Sequence, residues 1–389
     1  MIPRHIEATI HKELRQIPVL TLIGPRQSGK TTLVKSMFPD FSYANLEDPE
    51  LRALAVSDPK IFFQRFSLPM IIDEIHRVPE LLSWIQIKVD SGAENGSFVL
   101  TGSHQLKLRE SISQSLAGRT SVLTLLPLSI SEISEAGITL SKDEWLHYGF
   151  LPRIHGQGAD PLSTYRNYFQ TYVERDVRLL VNIRNVIQFE NFIRLLAGRV
   201  GQVVNLENLS DDVGVSGTTL AEWLSVLEAS FVVFRLPPYY HNFGKRLIKA
   251  PKIYFIEPGL AAWLLGIESP KQVSRDPVHG GLFENLVVLE ALKSRYNAGK
   301  ESNLYFWRDN NRNEVDLLFD VQRVIHPVEI KSAATWNEGF VRKVRHFRSS
   351  LPAAGRGAVV YAGDHRFEFD GIDALPFHSL SSWIKTLSE

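Results

Sequence analysis

The chain has 389 residues, room for roughly two to four domains with cores of their own. Apolar residues make up 44% and charged residues 22%, the balance of a soluble globular protein, and the absence of cysteine excludes disulfides and cysteine-ligated zinc and fits a reducing, cytoplasmic setting. Lys plus Arg and Asp plus Glu number 43 each, so no global basic field is available for nucleic acid and any such contact has to be local.

At the N-terminus, His5, Glu7, His11, Lys12, Glu13 and Arg15 break up any signal-peptide core. The longest apolar run, residues 259–267, is too short to cross a bilayer, so no membrane association is expected. Ile2, Ile6, Ile10, Leu14 and Ile17 recur at steps of three and four and predict an amphipathic helix that packs beside the nucleotide domain, with partner binding as the alternative.

A short apolar strand, residues 19–23, then leads into Gly24-Pro25-Arg26-Gln27-Ser28-Gly29-Lys30-Thr31, with Thr32 behind it. This fits G-x-x-x-x-G-K-[ST], the phosphate-binding loop, in the strand–turn–helix context that the motif requires. Its backbone N–H groups and the helix N-terminus would close around a triphosphate. Lys30 would reach the β- and γ-phosphates, and the Thr31 hydroxyl would ligate Mg²⁺. The expected cofactors are therefore ATP and Mg²⁺.

Residues 41–46 read as a strand, followed by the acidic turn Glu47-Asp48-Pro49. Residues 69–72 form another strand, ending in Asp73-Glu74. An apolar strand that ends in two carboxylates about 40 residues beyond a phosphate loop completes a hydrolysis site. Asp73 would hold the Mg²⁺ water shell, and Glu74 would orient and polarise the attacking water. A helix is expected over 79–89 and a strand over 97–103, whose polar tip either places Thr101 or Ser103 near the γ-phosphate or is a simple strand-ending turn. A helix over 104–116, the turn Ala117-Gly118-Arg119 and a fifth strand over 121–126 follow.

Five strand–helix units with these motifs resemble an AAA+-type ATPase core. More narrowly, the chain resembles the predicted prokaryotic ATPases that pair this core with a C-terminal domain of unknown function. The residues that carry the likeness are GPRQSGKT, MIIDEIHRVP, LTGS, LAGRT, LPLSISEI, GFLPRI and YVERDV, then KIYFIEPGLAAWLLG, LFENLVVLEAL and NEVDLLF…PVEIKSA. The resemblance implies an α/β fold with a P-loop core at 1–128, a helical lid at 129–190, a winged-helix domain at 191–250 and a restriction-endonuclease-like α/β domain at 251–389. It places Arg119 where such ATPases keep an arginine finger for a neighbour's γ-phosphate, which implies a homo-oligomer, a ring or at least a dimer. The alternative for Arg119 is a helix C-terminal charge favoured by the dipole. In the lid, Tyr168, Phe169, Tyr172, Val173 and Val177 lie near helical spacing, and Arg153 or Arg175 is either a phosphate-sensing arginine or a surface ion-pair partner.

Residues 206–209 begin a helix, Gly214 makes a turn, and Ser216 caps a helix running to residue 228, before a strand over 231–236. That second helix carries Glu222 and Glu228 and no Lys or Arg, so it repels phosphate and suits docking better than groove reading. Lys245, Arg246, Lys249 and Lys252 are either a local phosphate contact or a solvated face. A strand over 252–256 and a helix over 281–295 bearing Glu284 and Glu290 come next.

In the strands over 314–319 and 327–331, alternation puts Glu314 with Asp316 and Glu329 with Lys331. The spacing Asp-x₁₂-Glu-x-Lys resembles the PD-(D/E)XK nuclease fold. In that fold Asp316, Glu329 and a helical Glu284 would hold Mg²⁺, and Lys331 would assist hydroxide or leaving-group charge. The competing reading is an inactive relic in which Glu329 and Lys331 satisfy each other. Trp307-Arg308 either stacks on a base or packs, and one further strand over 358–361 with a closing helix completes the chain. The leading expectation is an ATP-hydrolysing motor or switch. The alternatives are an ATP-regulated, Mg²⁺-dependent nuclease acting on nucleic acid, and a non-catalytic nucleotide sensor that binds a protein partner.

Overall fold

The computed structural model describes residues 2–103, 112, 115–177, 185–240 and 250–387, without the side chains of residues 174–176. The helix expected over 104–116 falls almost wholly outside the described residues. So do Lys245, Arg246 and Lys249 and the side chain of Arg175. The chain divides into two compact units.

The first unit comprises Met1–Leu128 with Ala229–Phe231 and Tyr296–Lys300. Its elements are α1 (Glu7–Leu14), β1 (Val19–Ile23), α2 (Lys30–Met37), β2 (Ser42–Asn45), α3 (Pro49–Ser57), α4 (Pro59–Arg65), β3 (Met70–Asp73), α5 (Leu81–Asp90), β4 (Phe98–Gly102) and β5 (Thr120–Thr124). The five strands form one parallel sheet in the order β2-β3-β4-β1-β5. β1 lies inside the sheet between β4 and β5 and is buried at every residue, which is why its sequence is largely apolar rather than alternating. The α1 stripe does what its spacing predicts: Ile6, Ile10 and Leu14 pack with Leu20, Leu22, Leu33, Val34 and Phe38. Helices α3 and α4 are an addition to the sequence reading. Asp48 and Asp58 each precede a proline and cap a helix, accepting from Glu50 N at 2.8 Å and Ile61 N at 2.9 Å.

The second unit comprises Ser129–Glu228, Val232–Arg295 and Glu301–Glu389. It begins with α6 (Ile130–Glu135), α7 (Lys142–Tyr148), α8 (Pro152–Gln157) and α9 (Pro161–Tyr168), continued by π-helical turns over Phe169–Val177. The predicted apolar side chains of this stretch, from Tyr165 to Val177, are buried. Next come α10 (Val186–Ala197), α11 (Leu206–Val213) and α12 (Gly217–Ala229), then the antiparallel pair β6 (Val233–Leu236) and β7 (Lys252–Phe255). Ser216 Oγ accepts from Thr219 N at 3.1 Å, the cap expected for α12.

After α13 (Pro258–Leu264), α14 (Pro270–Val273) and the long α15 (His279–Asn297) come β8 (Leu304–Arg308), β9 (Glu314–Val321), β10 (Val324–Lys331), α16 (Arg342–Ser350), β11 (Gly357–Tyr361), β12 (Phe367–Phe369), β13 (Ile372–Pro376) and α17 (Leu380–Thr386). These six strands form a mixed sheet in the order β12-β13-β11-β10-β9-β8. The sequence reading anticipated one strand after β10, where the sheet has three.

Glu257 explains two of the quoted motifs. Its Oε1 accepts from Phe150 N at 2.8 Å, Tyr165 OH at 2.9 Å and Gly259 N at 3.3 Å. It thus fastens the GFLPRI turn to the start of α13. Burial pushes its carboxyl up to about 7, against the pull of Lys293 and these donors.

Candidate active site

In the first unit, β1 delivers the chain to Gly24 and β3 delivers it to Asp73, with β4 between them. Gly24 has φ 155°, and a Cβ there would stand 2.1 Å from the Leu125 carbonyl oxygen, so no side chain fits. Gln27 (φ 62°) and Gly29 (φ 92°) supply the left-handed steps that curl the loop into α2. Pro25 and Ser28 are buried, Arg26 is half-buried, and Gln27 and Thr32 are exposed. Lys30 is 6% exposed and folds back over the loop, donating to Gly24 O at 2.9 Å and Pro25 O at 2.8 Å. Burial lowers its ammonium to about 8, and Glu74 and Asp73 oppose that shift. Arg4, which the sequence reading passed over, braces the same loop. Its guanidinium donates to Ser28 O at 2.8 Å and to Leu126 O at 2.6 Å.

Three hydroxyls converge on Asp73. Thr31 Oγ1 donates to Oδ2 at 2.8 Å, Tyr43 OH donates to Oδ2 at 2.7 Å, and Thr101 Oγ1 donates to Oδ1. Burial and the bond to Asp73 push the Tyr43 phenol up, which keeps it a neutral donor. Thr31 and Asp73 bring hard oxygen donors together as Mg²⁺ requires, so the expected pair fits this ion.

Glu74 follows in the left-handed region, φ 57°, a conformation that costs a non-glycine residue about 1–3 kcal/mol and that the surroundings must hold in place. Its backbone N donates to Thr101 Oγ1 at 3.1 Å. Its Oε2 accepts from Ser103 N at 3.2 Å and Ser103 Oγ at 3.3 Å, and His76 Nδ1 lies 3.0 Å away. Burial alone would raise this carboxyl. The His76 imidazole 3.0 Å away, with Lys30 and Arg26 nearby, outweighs burial and holds it at about 2. The polar tip of β4 therefore acts through the carboxylates: Thr101 holds Asp73 and Ser103 holds Glu74.

Arg119 pairs with Asp90 at the surface, Nε to Oδ1 at 2.7 Å and NH2 to Oδ2 at 3.1 Å. It stands just before β5, whose first residue aligns with Val19 at the far end of β1 from the loop. About four residue steps, roughly 13 Å, separate that level from the loop.

The second unit holds another cluster of charged side chains. Glu284, Asp316, Glu329 and Lys331, named from the sequence, all lie in it, on α15, β9 and β10. Asp316 Oδ2 accepts from Ile330 N at 2.8 Å. Glu329 is fully buried, and its Oε1 pairs with Lys331 and, at 2.9 Å, with Lys343 of α16. Lys252 is the correction here. Read as part of an exposed basic patch, it is 2% exposed, with Nζ 2.8 Å from Glu284 and 2.7 Å from Glu314. Tyr254 OH also donates to Glu284 at 2.6 Å. Burial and the Asp316 charge raise Glu284 and Glu329 to about 7 each, against the lysines. Among the described residues, no three acidic or histidine side chains are arranged to hold a metal ion. Lys252, Lys331 and Lys343 face these carboxylates, and Glu329 Oε2 is buried without a hydrogen-bond partner. Trp307 packs edge-on against Phe347.

Residues 16–134 match the family model described as an AAA domain, which makes this part of the chain a P-loop ATPase domain. Residues 140–271 match a domain of unknown function (DUF8612), and residues 279–380 match another (DUF4143). Among solved structures, the chain is similar to the Walker-type ATPase PABY2304 of Pyrococcus abyssi, with 13% identity, a TM-score of 0.47, and coverage of 68% of this chain and 96% of that one. It is also similar to AMPPCP-bound DnaA from Aquifex aeolicus, with 12% identity, a TM-score of 0.28, and coverage of 57% and 86%. Among the described residues no helix is long and apolar enough to cross a membrane. Two curated relatives, "Uncharacterized protein Rv2008c" of Mycobacterium tuberculosis and "Uncharacterized protein Mb2031c" of Mycobacterium bovis, are each 31% identical over 378 residues, covering 96% of this chain and 83% of theirs. The chain belongs to the family of these two mycobacterial proteins, with an AAA-type P-loop ATPase domain in its N-terminal part.

Proposed function

We propose that the chain binds and hydrolyses ATP and works as a motor or switch on the modules that follow its ATPase domain. The observation that carries this reading is the Thr31–Asp73 bond at 2.8 Å, beside a phosphate loop, with Glu74 next in sequence and held by Ser103. Lys30 and the loop amides would bind the β- and γ-phosphates, and Thr31 and Asp73 would hold the metal. Mg²⁺, when bound, neutralises charge on the phosphate oxygens. Glu74 would orient the attacking water through the carboxylate oxygen that Ser103 leaves available. Lys30→Ala should abolish binding of magnesium-complexed ATP in calorimetry while the protein stays folded by circular dichroism. Retained tight binding would refute the site.

Three helices followed by an antiparallel ribbon support the winged-helix reading of α10 to β7. On α12, Glu228 bonds Arg235 at 2.6 Å, and with no Lys or Arg on the helix a docking role suits it better than groove reading. For the nuclease-like module, the observation in favour is that the Asp316 charge acts on both Glu284 and Glu329. Against it stand the lysines that already pair with Glu284 and with Oε1 of Glu329. The expected result is no cleavage of DNA or RNA with Mg²⁺ or Mn²⁺. Cleavage that Lys331→Ala abolishes would establish the nuclease reading in its place.

A further inference from the structure

Tyr43 and Asp73 stand on neighbouring strands. In the register of β2 on β3, Tyr43 lies beside Ile71 and Asn45 beside Asp73. Residues two apart on a strand share a face, so Tyr43 stands on the Asp73 face, one diagonal step away. A side chain as long as tyrosine spans that diagonal, and its OH donates to Asp73 Oδ2 at 2.7 Å. The ring packs against the core of the unit, and Lys35 Nζ of α2 lies 3.7 Å from its centroid. Of the three hydroxyls on Asp73, Thr31 is the one assigned to the metal. The other two divide between the oxygens, Thr101 on Oδ1 and Tyr43 on Oδ2, and come from β4 and β2 on either side of β3.

We infer that Tyr43 is a positioning residue for the metal: its phenol on Oδ2, opposite Thr101 on Oδ1, fixes the plane in which the Asp73 carboxylate meets Mg²⁺. This deepens the ATPase reading and rests on it. Two donors on different oxygens set the plane of a carboxylate, whereas one donor leaves it free to turn. Thr31 also donates to Oδ2, but it would enter the metal shell itself and so take its orientation from the ion. Tyr43 and Thr101 are fixed by the sheet instead. Hydrogen-bond partners one step out from a metal ligand typically carry about 10–100-fold in metal affinity. Tyr43→Phe keeps the ring and its packing and removes only the oxygen.

The experiment titrates Mn²⁺, which takes the same oxygen donors as Mg²⁺, into protein loaded with a non-hydrolysable ATP analogue and follows the bound ion by electron paramagnetic resonance. Wild type is compared with Tyr43→Phe, Asp73→Asn and the Tyr43→Phe/Asp73→Asn double variant. Tyr43→Phe should weaken Mn²⁺ by about tenfold. Its affinity for the metal-free analogue should stay within about twofold of wild type, because the lost bond belongs to the metal carboxylate. The double variant should bind Mn²⁺ as Asp73→Asn does. Unchanged Mn²⁺ affinity in Tyr43→Phe, an equal loss of metal-free analogue binding, or a further loss on the Asp73→Asn background would overturn the inference and leave the ATPase reading standing. A folded wild-type protein that binds no analogue, with or without Mn²⁺, would overturn both.

Discussion

Glu74 and Glu257 are both largely buried glutamates, yet their protons behave oppositely. Glu74 has cations and donors aimed at it and stays ionised to about pH 2. Glu257 keeps one buried oxygen, Oε2, without a hydrogen-bond partner, and burial raises it to about 7, as it does Glu284 and Glu329. The ordinary value for such a carboxyl is 4.5. Raised folded-state values mean that the native chain holds these protons more tightly than the unfolded chain does. Their stabilising contribution is full below pH 4.5 and is lost as pH rises through about 7. Glu74 contributes in the opposite sense: its share is present above pH 4.5 and lost as pH falls toward about 2. Urea unfolding should therefore show a midpoint that drops between pH 5 and 7.5. The drop should be smaller in Glu257→Gln, and an identical drop would remove Glu257 from the account.

At the scale of elements, the sequence is most readable where one physical demand dominates. The phosphate loop needs glycine at fixed places, β1 needs an unbroken apolar run, and α1 needs its stripe, so each is visible in the letters. The carboxylate strand β3 is visible for the same reason. Helices α3 and α4 are legible in principle, because each opens on an Asp-Pro pair, but their short, partly exposed sequences carry no apolar stripe to confirm the caps. Arg4, Tyr43 and His76 were not legible as site residues. Their roles depend on contacts made across the fold, or on a 3₁₀ turn whose course a strand pattern does not reveal. Lys252 misled for a related reason: a lysine after a run of basic residues reads as surface, and only the facing Glu284 and Glu314 make its burial possible.

For the whole molecule, the place of Arg119 decides how many copies the reaction needs. Arg119 stands at the opposite end of the parallel sheet from its own phosphate loop, so a finger role for it belongs to a neighbouring copy. Its exposed pair with Asp90 is screened by solvent and easily exchanged for a phosphate. Arg119→Ala should lower turnover, and mixing it with the Lys30→Ala variant should restore part of it, since each supplies what the other lacks. Turnover that no mixing ratio restores would leave Arg119 as a surface partner of Asp90. Solution mass with and without ATP reports the same assembly independently.

The position of β1 bears on how the N-terminal unit comes apart. Its backbone is bonded on one side to β4 and on the other to β5, and none of its side chains reaches solvent. Amide protons on such a strand exchange with deuterium only when the sheet itself opens. The stretch that presents the phosphate loop thus shares with β4, likewise buried and paired on both sides, the slow exchange that reads the unfolding free energy of the unit without any added denaturant.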